Sequence, residues 1–445
     1  MIEVGFYEKE ITPPLGNDIP GYSGPRKGTA IHDPLYAKAI SVRSGEAVHE
    51  TIIMIVVDLI YVPPKVYDVV MEKVEQYTGV PQKNVMIAAT HTHTGGPIYH
   101  DGEFRITDEA WMEITAQSSA DAAIMAFNNM KPASAKYACG KVEGLSYCRD
   151  FVMKDGSIRT NPAWQDPNIV KPAGKTDPEF PVLFFFDDEE KPIGALTNFS
   201  CHHDTKAGTE ISADYSGVIA AGMKDKFGRH FINILFQGPC GNVNHCNPFR
   251  EKKEYDEPNY QRIGRELLNE ELRLFEIAEP FEFDAVYSEK RMIPLERREV
   301  PEDVLEDYKW VLEHAPIDWY QININNPENQ MFKRTHARAV IKLSESPKYH
   351  PAYIQVAMLG DFAIYALPGE QYVEYGLYIK ENSPVKYNMV SGTAHKGARG
   401  YIPTAELCGS TSYAVQLGSF DLLPEAGQIM ADFVLDLAKE IISKR

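Results

Sequence analysis

The apolar residues of this chain fall into short dense runs, separated by stretches in which they recur every three or four positions. Runs at Thr51–Leu59, Val85–Ala89, Pro181–Phe186, Ile232–Phe236, Tyr353–Met358 and Phe362–Leu367 end in polar, Gly-rich or Pro-rich turns. Bounded apolar runs of this kind predict buried strands. Between them, Pro64–Tyr77 sets Val66, Val69, Val70 and Val74 at helical spacing, and Asp108–Asn128 is alanine-rich and amphipathic. Ile219–Phe227, Tyr260–Ile277 and Glu425–Ile442 also read as helices. Strands alternating with helices predict an α/β fold with mixed sheets flanked by helices. No repeat or linker divides the chain, so a single domain over residues 1–445 is expected. Pro301–His314 reads as an exposed helix, and the segment Tyr320–Asn329 as a polar insertion. Together 300–335 form either a solvated helix pair or a lid over a site.

Composition narrows the partners. The formal charge of -18 and pI near 5.2 argue against nucleic acid and anionic membrane surfaces. No run of 18 apolar residues predicts a transmembrane helix. The first ten residues lack a basic n-region and an apolar h-region, so a cytoplasmic protein is expected. The cysteines are Cys139, Cys148, Cys201, Cys240, Cys246 and Cys408, with no CxxC pair, which suits a reducing compartment. Cys201 and Cys246 each stand beside a histidine. The expected partner is a small-molecule substrate, and the sequence leaves oligomeric state open, a homo-oligomer included.

Candidate chemistry concentrates where the strands end. Val85–Ala89 runs into Thr90-His91-Thr92-His93-Thr94-Gly95-Gly96-Pro97. In an extended chain residues i and i+2 face the same way, so His91 and His93 are expected to present their imidazoles together. Such a pair either caps the strand by hydrogen bonds or holds a metal; imidazole suits zinc, and a zinc open to water serves hydrolysis. The second candidate is Cys201-His202-His203-Asp204, where at most one histidine should join the same ion. The third is Pro368-Gly369-Glu370, a carboxylate placed to act as an oxygen ligand, a general base or a helix cap. Gly400-Tyr401-Ile402-Pro403-Thr404 follows, although nothing in the residues themselves sets Tyr401 apart from other tyrosines. The loop Gln237–Pro248 offers Asn242, Asn244 and His245 as donors to an oxyanion, or is simply a polar turn. No GxSxG elbow or phosphate-binding Gly-Lys-Ser/Thr is present. Arg149 and Arg159 flank the Asp155-Gly156 turn and are candidates to bind a polar or anionic substrate.

In order along the chain these segments resemble the neutral/alkaline ceramidase superfamily. Ile11-Thr12-Pro13-Pro14 with Gly21-Tyr22 is similar to that family's ITPP…GY opening, and Thr90–Gly95 to its THTHSG. Asp155-Gly156 with Thr160-Asn161-Pro162, Ile211–Gly217, Gly369-Glu370 and Gly400–Thr404 resemble its later segments. The resemblance implies the fold of the ceramidase catalytic domain, without the C-terminal β-sandwich domain. It implies one catalytic zinc held by His91, His202, Glu370 and Tyr401, with His93 assisting hydrolysis of an amide (N-acyl) bond. The family's GDVSPN loop is altered here: Asn244 replaces its catalytic serine. Two other readings compete, an amidohydrolase-type barrel and a non-catalytic binding module on an inactivated hydrolase scaffold.

Overall fold

The computed structural model describes residues 2–22, 26–98, 107–250, 258–314, 330–397 and 400–445. The predicted insertion Tyr320–Asn329 lies outside the described residues. The first half of the chain builds strands β1 (Ile2–Glu10), β2 (Tyr36–Arg43), β3 (Thr51–Val57), β4 (Val85–Ala89), β5 (Lys131–Lys141), β6 (Glu179–Asp187), β7 (Pro192–Phe199) and β8 (Ile232–Gln237). The helices among them are α1 (Pro64–Thr78), α2 (Glu109–Asn128) and α3 (Tyr215–Phe227), followed by α4 (Asn259–Ile277). The second half adds β9 (Val286–Glu296), α5 (Glu302–His314), α6 (Gln330–Glu345), β10 (Tyr349–Leu359), β11 (Phe362–Ala366), β12 (Glu370–Gln371), α7 (Val373–Asn382), β13 (Tyr387–Ser391), β14 (Tyr401–Ile402) and α8 (Ala426–Ser443).

The main sheet runs β8-β7-β6-β5-β1-β2-β3-β4 and is antiparallel except at its two ends, where β7 with β8 and β3 with β4 run parallel. The second sheet runs β9-β10-β11-β13, with β11 and β13 parallel. Strand β3 shows how sequence makes layers. Ile53, Ile55 and Val57 pack under α1 and α2, while Ile52, Met54 and Val56 face the second sheet. A strand apolar at every position is therefore buried on both faces, as the period of two requires. Ile219 and Met223 of α3 with Ile263 and Leu267 of α4 cover the other half of the main sheet. Helices α7 and α8 cover the outer face of the second sheet through Ile379, Met430 and Val434 against Ile354, Val356 and Tyr365. The result is four layers, helices–sheet–sheet–helices, in agreement with the expected mixed sheets flanked by helices. Among the described residues no helix is long and apolar enough to cross a membrane.

Parallel pairs bring loops from neighbouring strands to the same edge, and ligands of open α/β sheets bind outside the carboxyl ends of strands. Here the loops after β4, β7, β8 and β11 meet at one edge of the sandwich.

Candidate metal centre

His91 leaves β4 in a left-handed conformation, with φ of 69°. The strand ends at Ala89, so the two imidazoles are not brought together by an extended chain, as the i, i+2 rule expects. The turn is held by backbone bonds, His91 N–H to Leu59 O at 2.9 Å and His93 N–H to His203 O at 3.0 Å. Thr92 and Thr94 both donate to Ser212 O, at 2.7 and 3.0 Å. Ser212 belongs to the Ile211–Gly217 segment, whose Asp214 collects the amides of Thr205, Lys206 and Tyr215. That motif is a clamp joining the loop after β4 to the loop after β7.

Three imidazoles converge inside this clamp. His91 Nε2 lies 3.1 Å from His202 Nε2, and His93 Nε2 lies 3.1 Å from His202 Nε2 and 3.4 Å from His91 Nε2. His91 Nδ1 sits 2.7 Å from Ile60 O and His202 Nδ1 3.1 Å from Cys240 O. A carbonyl only accepts, so each Nδ1 carries a proton and each Nε2 is turned to the shared space. Burial pushes the His202 imidazole down to about 4, with His91 adding to the shift, and burial also lowers His93 well below the ordinary histidine range. His203 points away: it hydrogen bonds Gln237 and stacks on Tyr215 at 3.8 Å.

Glu370 reaches the same point from β12. Its Oε2 is 3.5 Å from His91 Nε2 and 3.7 Å from His202 Nε2, and is buried with no hydrogen-bond partner. Tyr61 donates to its Oε1. Burial opposes ionisation of Glu370, but His91, His202 and Arg149 outweigh it and hold the carboxyl well below its usual range. Strand β12 pairs with β14, setting Tyr401 opposite Glu370. The Arg149 guanidinium lies 4.7 Å over the Tyr401 ring and donates to Gly241 O at 2.6 Å. The glycine is required, because a Cβ at Gly241 would stand 2.3 Å from Glu370 O. Burial raises the Tyr401 hydroxyl well above the ordinary tyrosine range, against the pull of Arg149.

The arrangement passes a simple test for a cation. The Nε2 atoms of His91 and His202 and a buried carboxylate oxygen face one another, and leaving buried polar atoms unmatched is costly. A divalent ion matches this donor set, and mixed nitrogen and oxygen ligands suit zinc. The Cys240 thiol also lies here, its sulfur within 4.8 Å of ligand atoms of His91 and His202.

The other predicted residues divide. Asn244 is buried but its amide is engaged, donating to Asn161 Oδ1 and accepting from Cys246 N–H, both at 2.9 Å. His245 Nδ1 faces Asp204 Oδ1 at 3.3 Å. Burial works against both charges, yet each partner favours the other's ionised form, so His245 is raised and Asp204 lowered. Asn242 donates to Glu374 and accepts from Val373 N–H, tying the loop to α7 rather than facing the centre. Arg159 is exposed and paired with Asp155 at 3.5 Å, away from the imidazoles. Tyr61 and Cys240 were not singled out by the sequence; Cys201 and Cys246, the thiols adjacent to histidines, sit elsewhere, Cys201 buried near Leu145 O and Cys246 beside His245. Tyr22, of the Gly21-Tyr22 pair, packs its ring 5.3 Å from His93 under Arg26.

Fold and geometry together define an α/β protein with a buried histidine–carboxylate centre at a sheet edge. The chain belongs to the neutral/alkaline non-lysosomal ceramidase family, whose N-terminal model matches residues 3–239. It is 26% identical to the neutral ceramidase of Pseudomonas aeruginosa over 235 residues, half of this chain. The match spans only 34% of that enzyme's length. The crystal structure of the Pseudomonas aeruginosa neutral ceramidase superposes with a TM-score of 0.72 at 18% identity, covering 99% of this chain and 75% of that one. A structure of a ceramidase complexed with C2 gives 0.74 at 18% identity, covering all of this chain and 75% of that one. The fold is thus that of the ceramidase structures, as the resemblance implies, and not an amidohydrolase barrel.

Proposed function

We propose that this protein is a zinc-dependent hydrolase of an amide (N-acyl) bond. Family membership supports the reaction class. The observation that carries the metal is the convergence of the Nε2 atoms of His91 and His202 on the unpartnered Oε2 of Glu370. His91, His202, Glu370 and Tyr401 are the ligand set. When bound, zinc acidifies water and polarises a carbonyl.

The chain's own groups do the rest. His93 is buried and neutral, with Nε2 facing the same space, so it accepts the proton of the attacking water. As the water oxygen bonds to the carbonyl carbon, the C–N bond breaks, and the same proton passes to the leaving nitrogen. The products are a carboxylic acid and an amine. Arg149, over Tyr401, favours an ionised phenol. With Asn242 and Asn244 engaged elsewhere, His245 is the loop's cationic group, kept protonated by Asp204 at its Nδ1 and with its Nε2 3.6 Å from Cys246 Sγ. Tyr61 fixes the orientation of Glu370.

Metal analysis of the purified protein tests this, alongside amide hydrolysis. One zinc per chain is expected, with His91→Ala and Glu370→Ala losing both metal and activity. Full metal-independent activity, or a metal-binding protein inert toward every amide, overturns the reading.

A further inference from the structure

A cleft of about 1160 Å3 opens between the loop carrying Asp155–Pro162 and helix α5. It is somewhat larger than the usual small-ligand pocket. Its lining residue Tyr413 lies one side chain removed from the proposed centre. Asn161 accepts from the Asn244 side chain, and Tyr413 lies edge-on to Tyr401 with ring centroids 5.7 Å apart. Helix α5 forms the opposite wall with Val304, Asp307, Tyr308 and Val311. These positions, i, i+3, i+4 and i+7, are one helical face. The 300–335 segment thus contributes a wall to the cleft through α5.

The chemistry of the walls selects a class of ligand. The apolar residues Val304 and Val311 are separated on their face by Asp307 and Tyr308, so no continuous apolar track runs along α5 for an acyl chain. Among the described residues Arg159 is the only lysine or arginine lining the cleft, and it is paired with Asp155. Asp166 and Asp307 therefore leave the cleft net negative, which disfavours an anionic substrate. Apolar side chains such as Ile158 and Pro162 share the walls with two tyrosine rings, Tyr308 and Tyr413, and with Asn161, Gln416 and two carboxylates. Flat rings with amide and carboxylate side chains suit a compact molecule with an apolar face and many hydroxyl donors.

We propose that this cleft holds the amine part of the substrate, and that this part is hydroxyl-rich, as in an N-acylated amino sugar or amino-polyol. The inference rests on the amide-hydrolase reading and specifies its substrate. The zinc-loaded protein is assayed with N-acetylglucosamine and with N-acetyldodecylamine, which share an acyl group. Binding of N-acetylglucosamine is followed separately by saturation-transfer NMR. The expected result is a preference for the sugar amide of at least tenfold in kcat/KM. Tyr308→Ala and Asp307→Asn should raise KM for the sugar at least fivefold, leaving kcat and the alkyl amide unchanged. Preference for the alkyl amide, with no effect of either variant, overturns the inference and keeps the hydrolase. If neither amide is cleaved, sugar binding that Tyr308→Ala abolishes supports the cleft assignment and absence of sugar binding overturns it, while the hydrolase reading fails only when a wider panel of amides is also left uncleaved.

Discussion

Replacing Glu370 by Gln separates the cost of an empty centre from the gain of a filled one. In metal-free protein, Glu370 Oε2 faces two imidazole Nε2 atoms without a hydrogen-bond partner. A Gln side chain keeps an oxygen for Tyr61 and puts an N–H₂ where that oxygen was. Matching a buried acceptor this way should gain about 1–3 kcal/mol. For 445 residues, an unfolding entropy of about 2.1 cal/mol/K per residue means that 1 kcal/mol moves the Tm by about 1 °C. The metal-free variant should therefore melt about 1–3 °C above metal-free wild type. Zinc at 1,000 times its Kd should add about 4 kcal/mol to wild type, or about 4 °C. The variant has lost its anionic ligand and should lose most of that increment. Differential scanning calorimetry in chelator and in zinc gives all four melting temperatures. The two effects have opposite signs, so a general loss of packing cannot imitate them. A metal-free variant that melts below wild type yet keeps the full zinc increment would refute the placement of Glu370 among the ligands.

Four further outcomes follow from the same geometry. Glu271 is fully buried with only Asn233 beside it, and burial pushes its carboxyl from 4.5 up to about 8. The folded state then holds a proton that the unfolded state releases, so stability is complete below pH 4.5 and falls as pH rises through 8; Glu271→Gln should cancel up to roughly 5 kcal/mol of that loss, read as variant minus wild-type stability against pH. His203→Ala should keep one zinc per chain while losing about 1–3 kcal/mol in denaturant unfolding, because His203 only stacks on Tyr215 and bonds Gln237. Gly21 has φ of 107°, and a Cβ there would stand 2.5 Å from His93 Nδ1, so Gly21→Ala should lower kcat at least tenfold with zinc content unchanged. Cys240→Ala should retain its zinc by metal analysis, since His91, His202, Glu370 and Tyr401 already supply four ligands; loss of the ion would place sulfur among the ligands.

What the sequence revealed about the centre depended on how each contact is encoded. Buried strands announce themselves, because a run such as Thr51–Val57 has no polar face to hide, and histidines placed at their ends were visible for the same reason. The rings of His91 and His93 meet because His91 adopts a left-handed backbone inside a clamp built by Ser212 and Asp214, about 120 residues away. Spacing of two marks the pair but does not contain that turn. The split between His202 and His203 was expected from alternation, yet which of them faces His91 is decided by Gln237 and Tyr215, which capture His203. Tyr61 carries no local signal at all: four residues beyond a buried strand, it gains its role only when β12 delivers Glu370 to its hydroxyl. Asn242 shows the converse. It stands in a polar loop and reads as a donor to substrate, but α7 presents Glu374 and the Val373 amide and consumes both ends of its side chain. A polar residue in a loop is free to act only if no neighbouring helix terminus claims it, and that is settled by packing between distant segments. By that rule His245, held by Asp204 and Cys246 and not by a helix, is the loop residue whose removal should alter the rate most without altering the fold.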